Sequence, residues 1–390
     1  MARFDVAVVG AGLVGAAIAY DLAARGVRTV VLEAEKEPAA GASRSNSGVV
    51  HTGFDSVPGE FETDMIRAQA ARWRGVFDSL NIPYRETGAL LTAIDDEESS
   101  RLPGMAEKAA RNGVEVELLG ARDARKLEPR SAAVGGLLVP GESITDPYEV
   151  VRRMLASSPN IETRLGWPVG RVEPDGGGAV VVGPAGKVAA DFVLNCAGLF
   201  ADEVSGNGSF RIVPRRGEFV VFGRGTSDLV GRILLPVPST QTKGVLVFPT
   251  LYGHLCAGPS AVDQEDKDDW QPREDGLAFV RERAEKMLPG IRDLEQTDSW
   301  AGLRPAGGDK NYEVGWSERV PAMFNVAAIR STGLSACLGL SRHVVGELVG
   351  RGLKTRTARD GGGSGAPDFP DDAARPWWER LNTLRGVGHP

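Results

Sequence analysis

Residues 4–33 read FDVAVVGAGLVGAAIAYDLAARGVRTVVLE, and no other stretch restricts the fold of this chain as tightly. Phe4 to Val9 is a short run rich in β-branched residues, the pattern of a strand. It enters Gly10-Ala11-Gly12-Leu13-Val14-Gly15 and then an apolar helical pattern, after which Thr29 to Leu32 forms a second strand that ends on Glu33. Each glycine has a mechanical task. Gly10 permits the tight turn, Gly12 leaves room for a pyrophosphate against the backbone, and Gly15 lets helix and strand close up. The helix start, at Leu13 and Val14, offers unpaired N–H groups to phosphate oxygens. Glu33 stands 18 residues after Gly15, where a carboxylate can accept both hydroxyls of an adenosine ribose. Strand, turn, helix, strand and acid in this order make a dinucleotide-binding unit the expectation. Glu33 would repel a 2′-phosphate, which leaves FAD and NAD.

At 390 residues the chain is long enough for two domains. Its 45 basic and 52 acidic side chains give a net charge of −7, and nothing gathers the basic ones into a nucleic-acid or anionic-membrane footprint. Cys196, Cys256 and Cys337 are far apart in apolar surroundings and read as buried free thiols. With four histidines, a histidine-rich centre is excluded and no metal is expected. Asp5 interrupts the apolar run before a signal-peptide core can form. No span reaches the roughly 18 apolar residues of a membrane helix, so a cytoplasmic location and no integral membrane span are expected.

The stretch after Glu33 favours FAD. In place of further βα units the chain reads AEKEPAAGASRSNSGVVHTGFD, a loop rich in small, hydroxyl and amide residues, and then a helix is expected over 61–80. A long polar loop so soon after the acid suits a larger cofactor lying extended. Two distant segments repeat the theme: VAADFVLNC with Ala197-Gly198-Leu199-Phe200-Ala201-Asp202, and the strand-like Phe324 to Ile329 with the glycine turn RSTGLSACLGL leading into a helix. Three such segments imply a discontinuous cofactor domain. Between them, strands are expected at 87–94, 216–221, 245–249 and 255–258, and mostly helix at 95–138 and 272–290, an antiparallel sheet with helices on its far side. The fold class expected is thus α/β with an α+β substrate domain: a Rossmann-like FAD-binding domain (1–85, 142–215, 296–355) and a discontinuous antiparallel-sheet substrate or cap domain (86–141, 216–295). Residues 356–390 read as a flexible tail in which Trp377 and Trp378 either dock a short helix on the body or serve a partner.

The segments DVAVVGAGLVGAAIAYDLAARG, VVLEAE, SRSNSGVVHTGFD, DFVLNCAGLFAD and IRSTGLSACLGLSRHVV together resemble the FAD-dependent oxidoreductase family that includes D-amino acid oxidase, sarcosine oxidase, glycerol-3-phosphate dehydrogenase and L-2-hydroxyglutarate dehydrogenase. IVPRRGEFVVF, LPVPSTQTKGVLVFPTLYGHLCAGPSAVDQEDKDD and GLRP extend the likeness to the flavoprotein subunit of anaerobic glycerol-3-phosphate dehydrogenases. The resemblance implies FAD held between the two domains. Its contacts would come from Gly10, Gly12, Leu13, Val14, Gly15, Glu33 and Ala34; from Ser43, Arg44, Ser45, Asn46, Ser47, Gly48 and Val49; from Val169, Cys196, Ala197 and Gly198; and from Gly302, Arg304, Gly333, Leu334 and Ser335. Gly48 to His51 would run beside the flavin ring. Many such subunits continue into a cysteine-rich iron–sulfur domain. The cysteine-free tail leads to the expectation that this chain holds no such cluster and passes electrons by another route, to a quinone or a second flavoprotein. A homo-oligomer is compatible with the sequence.

Oxidation of a CH–OH centre needs a base for the hydroxyl proton. His51 is the first candidate, against a reading in which it only hydrogen-bonds the flavin or the backbone, and His254 could share the role. His343 reads as packed, and His389 belongs to the tail. A small anionic organic substrate needs an anchor, for which Arg304 and Arg330 are the candidates, since a guanidinium presents a planar fork to carboxylate or phosphate. Of Arg215 and Arg216, adjacent in a strand, one should face the site; Lys243 could add charge. Tyr312 reads as a polar lid or a packing residue, and the acidic run 263–269 as a solvated turn rather than a calcium loop. Glycerol 3-phosphate is the first substrate expected and L-2-hydroxyglutarate the second. An amino-acid or amine oxidase and a noncatalytic or electron-relaying flavoprotein subunit are the alternatives.

Overall fold

The computed structural model describes residues 3–206, 208–238, 244–308, 311–356 and 375–387. Lys243, His389 and the glycine- and proline-rich stretch of the tail fall outside them. The first strand, Arg3–Val9, runs parallel to Thr29–Leu32 on one side and to Gly186–Asn195 on the other. Its second half, Val6–Val9, is an unbroken, buried apolar run, as the covered part of a parallel strand must be. The sheet continues through Ile161–Arg164 at one edge and an antiparallel pair, Arg171–Asp175 and Gly178–Gly183, at the other. Met323–Ala327 joins the C-terminal half of Gly186–Asn195, and Glu313–Trp316 pairs with it. The Leu13–Ala23 helix packs against the Gly333–Gly350 and Pro147–Leu155 helices. Strands from the beginning, middle and end of the chain therefore meet in one sheet.

A second sheet of nine strands is built around one long antiparallel ladder, in which Ile212–Phe222 pairs with Gln296–Gly307 from Ile212↔Gly307 to Phe222↔Gln296. All its pairings are antiparallel except that of Ile233–Pro236 with Ala89–Ala93. The Glu274–Met287 helix covers one face, burying Val280, Ala284 and Met287 among Val220, Phe222, Val247 and Leu255.

Three local expectations change, and one of the two readings of the tail is selected. The helix expected over 61–80 is three pieces, Phe61–Ala68, a single turn at Ala70–Arg72 and Trp73–Ser79. The long C-terminal helix presses on it there: a Cβ at Gly339 would come within 1.9 Å of the Met65 carbonyl oxygen. Residues 95–138 are not mostly helix, because Glu117–Gly120 and Gly135–Val139 are strands. Gly135 and Gly136 disguise the second of these, and Gly136 is glycine because a Cβ would lie 2.6 Å from the Leu90 side chain. Gln296–Gly307, assigned from sequence to the cofactor segments, pairs wholly within the nine-stranded sheet. Finally, residues 377–385 form a docked helix, with Trp377 and Trp378 each 1% exposed. Trp378 stacks on Trp300 at 5.5 Å, which stacks on Phe219 at 4.5 Å. Asn382 Nδ2 donates to Asp298 Oδ1 and the Ser299 carbonyl.

Candidate active site

A cavity of about 900 Å³ runs between the two sheets, from Glu33 and Ala34 past the glycine turn to Phe219, Gly302 and the 328–334 loop. At its first end the turn behaves as the spacing required. Gly10 has φ +104°, and a Cβ there would sit 2.4 Å from the Cys196 carbonyl oxygen. A Cβ at Gly12 would sit 2.8 Å from Ser43 Oγ, on the cavity side, and one at Gly15 would sit 2.1 Å from the Gly10 carbonyl oxygen. Gly10 and Gly12 line the cavity, whereas Gly15 lies behind them and serves packing. Ser43 Oγ accepts from Leu13 N at 2.9 Å, so the loop after Glu33 is tied to the helix start. Glu33 accepts from Ala11 N (2.7 Å) and Glu35 N (3.0 Å), and burial pushes its carboxyl above the ordinary value. A ribose would supply the donors that this desolvated carboxylate lacks.

Val14, Ala34, Ser45, Asn46, Ser47, Val169, Cys196, Ala197, Gly198, Gly302, Gly333 and Leu334 also line the cavity. A Cβ at Gly302 would lie 2.6 Å from Ser45 Oγ, so the second sheet approaches the loop as closely as backbone allows. Arg44, Gly48, Val49 and Ser335 are not on the wall. Arg44 is a correction: it is fully buried, pairs with Glu37 at 2.9 Å, donates to the Pro38 carbonyl and lies over the Tyr148 ring. It holds the loop from behind. Gly48, at φ +75°, turns the chain beside the Thr145 carbonyl.

His51 is on the wall. Two groups behind it fix its place: Ser335 Oγ accepts from its backbone N (2.8 Å), and its Nδ1 lies 2.9 Å from Glu142 Oε2. Glu142 is wholly buried and also accepts from Thr52 N and Thr52 Oγ1, both at 2.8 Å. Sequence reasoning missed Glu142. It stands 91 residues from His51, in the turn before the strand Ser143–Thr145 that pairs with Val49–Val50, and a glutamate among 52 acidic side chains carries no local signal.

His254 is not brought to the site. Its Nδ1 lies 2.9 Å from the Phe222 carbonyl and its ring packs against Trp378, away from the cavity wall. His343 packs edge-on against Phe61.

Arg330 and Arg304 both line the cavity, in different states. Arg304 donates to the carbonyls of Arg215, Arg216 and Ser260 at 2.7–3.2 Å, so most of its fork serves the backbone. Burial, reinforced by the charges of Arg215 and Arg330, presses it down to about 10, which leaves it charged at neutral pH. Among the described residues, Arg330 makes no hydrogen bond or ion pair. Ala328 adopts φ +56° just after the strand Met323–Ala327, and its carbonyl accepts from Tyr312 N, itself at φ +60°. Two non-glycine residues held in the left-handed region set the turn that delivers Arg330, strain of the kind that collects at functional sites. Tyr312 is thereby a packing residue, 5% exposed, whose OH meets Thr332 Oγ1, which in turn donates to Glu62. Of the adjacent pair, Arg215 lines the cavity but is paired with Asp263, while buried Arg216 pairs with Asp269. The acidic run is thus tied down by cations, with Lys267 also on Asp202 at 2.7 Å. Cys196, Cys256 and Cys337 are buried free thiols, and burial pushes Cys196 and Cys337 up to about 12. No group of His, Cys, Asp and Glu among the described residues is arranged to hold a metal ion, and no described helix is long and apolar enough to cross a membrane.

The cavity fits FAD. It is elongated, has a carboxylate at one end and a glycine-lined helix start beside it, and reaches a second group of residues from the other sheet. A family model described as FAD dependent oxidoreductase matches residues 5–346. Glycerol 3-phosphate dehydrogenase of Caloramator mitchellensis is 28% identical over 350 residues, 88% of this chain and 73% of that protein. L-2-hydroxyglutarate dehydrogenase of Indibacter alkaliphilus is 27% identical over 328 residues, 81% and 78% of the two chains. Among solved structures, L-alpha-glycerophosphate oxidase of Mycoplasma pneumoniae, with FAD bound, superposes with a TM-score of 0.81 at 24% identity, covering 88% of this chain and 94% of its own. Matched over most of its length and built around a cavity of the right form, the chain belongs to the FAD-dependent oxidoreductase family.

Proposed function

We propose that the protein oxidises a small anionic hydroxy compound, with sn-glycerol 3-phosphate the first candidate. The observation that carries this reading is the presence in one cavity of a histidine backed by a buried carboxylate and an arginine that pairs with no other described residue. Bound FAD supplies the hydride acceptor at its ring. His51 takes the hydroxyl proton: with Nδ1–H directed at Glu142, we assign Nε2 as the basic nitrogen, the orientation in which the buried carboxylate also stabilises the imidazolium that forms. Arg330 holds the phosphate or carboxylate of the substrate, and Arg304 adds positive potential from the same wall. L-2-hydroxyglutarate is the second reading, favoured by the similarity to its dehydrogenases.

The test is anaerobic bleaching of the flavin absorbance by glycerol 3-phosphate, by L-2-hydroxyglutarate and by D- and L-amino acids, each alone. Fast bleaching by glycerol 3-phosphate, lost in His51→Asn and requiring far more substrate in Arg330→Ala, is the expected result. Bleaching by an amino acid instead, or by none of these compounds, would remove this reading.

A further inference from the structure

The Trp377–Arg385 helix belongs to neither sheet, yet its last residue lines the cofactor cavity. Arg385 Nη1 donates to Glu35 Oε1 at 3.0 Å and Nη2 to the Ala40 carbonyl at 2.8 Å. Its guanidinium lies 4.6 Å from the centre of the Trp270 ring. Glu35, Ala40 and Trp270 line the cavity as well. One side chain therefore joins the loop that leaves the ribose carboxylate Glu33 to a tryptophan that packs with Leu199, Ile212 and Leu303.

The electrostatics of that wall explain why a cation is needed there. Glu33 and Glu35 stand two residues apart beside the glycine turn, where the pyrophosphate of a dinucleotide is received. An unpaired Glu35 carboxylate would repel it, and opposite charge at hydrogen-bond distance removes that repulsion. Arg385 Nε and Trp270 Nε1, moreover, are buried donors with no acceptor among the described residues. A ligand rich in anionic oxygen is the complement. The helix is held firmly enough to place the arginine: Trp377 and Trp378 are buried, Asn382 is bonded to Asp298 and Ser299, and Gly386 at φ +64° ends the helix.

We propose that the C-terminal helix is part of the FAD site, with Arg385 a positioning residue that neutralises Glu35 and closes the wall around the ADP half of the cofactor. The proposal rests on FAD binding and not on the identity of the substrate. It is tested on the full-length protein stripped of flavin, by measuring the dissociation constants of FAD and of ADP and the melting of the apoprotein. Arg385→Ala is expected to weaken FAD and ADP alike by about tenfold or more, the scale of a lost charge-assisted contact, with little change in apoprotein melting. Arg385→Lys should recover part of the loss, and added salt should narrow the difference. Adding Glu35→Gln to Arg385→Ala should restore affinity, because the uncompensated carboxylate is then gone. Unchanged FAD and ADP affinities in Arg385→Ala, or no recovery on adding Glu35→Gln, would overturn the proposal. Because no substrate is present, neither result depends on which compound the enzyme oxidises.

Discussion

Single residues here are constrained by what faces them across the fold. Gly10→Ala would force a Cβ to 2.4 Å from the Cys196 carbonyl at a φ of +104°. Strain of this kind costs on the order of 1–3 kcal/mol for the backbone conformation alone, so we expect a less stable apoprotein that purifies without flavin; thermal melting and the ratio of flavin to protein absorbance check both. Glu142→Gln is a milder change with a more specific signature. The amide cannot stabilise an imidazolium as the carboxylate does, so kcat should fall by about tenfold or more, within the range a positioned base contributes, while KM moves little. The acidic limb of the pH–rate profile, set by deprotonation of the base, should move to lower pH in the variant, the direction in which a histidine moves when it loses an anionic partner. A fall in kcat without that displacement would reduce Glu142 to a structural part. Glu33 bears on stability as well as binding. Its folded-state pKa is raised by burial, so its contribution is greatest below the unfolded carboxylate value and is lost as pH rises through the raised one. Against Glu33→Gln, which does not titrate, the apoprotein should therefore lose relative stability as pH rises above the ordinary carboxylate range, as measured by denaturant unfolding at each pH.

At the scale of elements, legibility depended on whether the signal was local. The strand–turn–helix–strand over 4–33 could be read because the strands, the glycine spacing and Glu33 all lie within thirty residues, although Gly10 and Gly12 also face Cys196 and Ser43 from outside the unit. His51 and Arg330 were legible as residue types beside glycine-rich loops that had to approach a cofactor. Glu142 was not, since only the pairing of Val49–Val50 with Ser143–Thr145 brings it behind His51. His254 misled for the matching reason: it stands just before the strand Leu255–Gly258 of the second sheet, but its ring packs on Trp378 of the docked C-terminal helix. Arg304 sits where its motif suggested, and pairing in the ladder then commits it to three carbonyls, which no linear pattern reveals. The docking of the C-terminal helix is substantial. Trp378 packs on Trp300 within a stack that extends to Phe219 on the cavity wall. Trp378→Ala should cost about 3–5 kcal/mol, the usual range for deleting a buried aromatic side chain. Denaturant unfolding reads that loss; a cost below about 1 kcal/mol would mean the helix contributes little to the body.

For the whole molecule, the cavity joins two sheets that otherwise have separate ladders. Its walls draw Gly10, Glu33 and Ala197 from around the first sheet and Phe219, Leu235 and Gly302 from the second. A ligand that fills it binds only when both are in place, so its binding free energy is added to the stability of the assembled pair. At a free FAD concentration one hundred times the dissociation constant this amounts to about 2.7 kcal/mol. The gain should not be local. Hydrogen exchange compared with and without FAD should show slower exchange in three segments distant in sequence, 39–47, 197–200 and 328–334, all of which contribute to the wall. These are loop segments whose openings need not involve global unfolding, so their protection reports on the site itself. Protection confined to 39–47 would mean that the dinucleotide end binds without engaging the 328–334 loop. The flavin ring would then not lie where His51 and Arg330 can act on the same substrate. Protection of all three together is what a single extended cofactor, spanning both sheets and presenting its ring to that wall, requires.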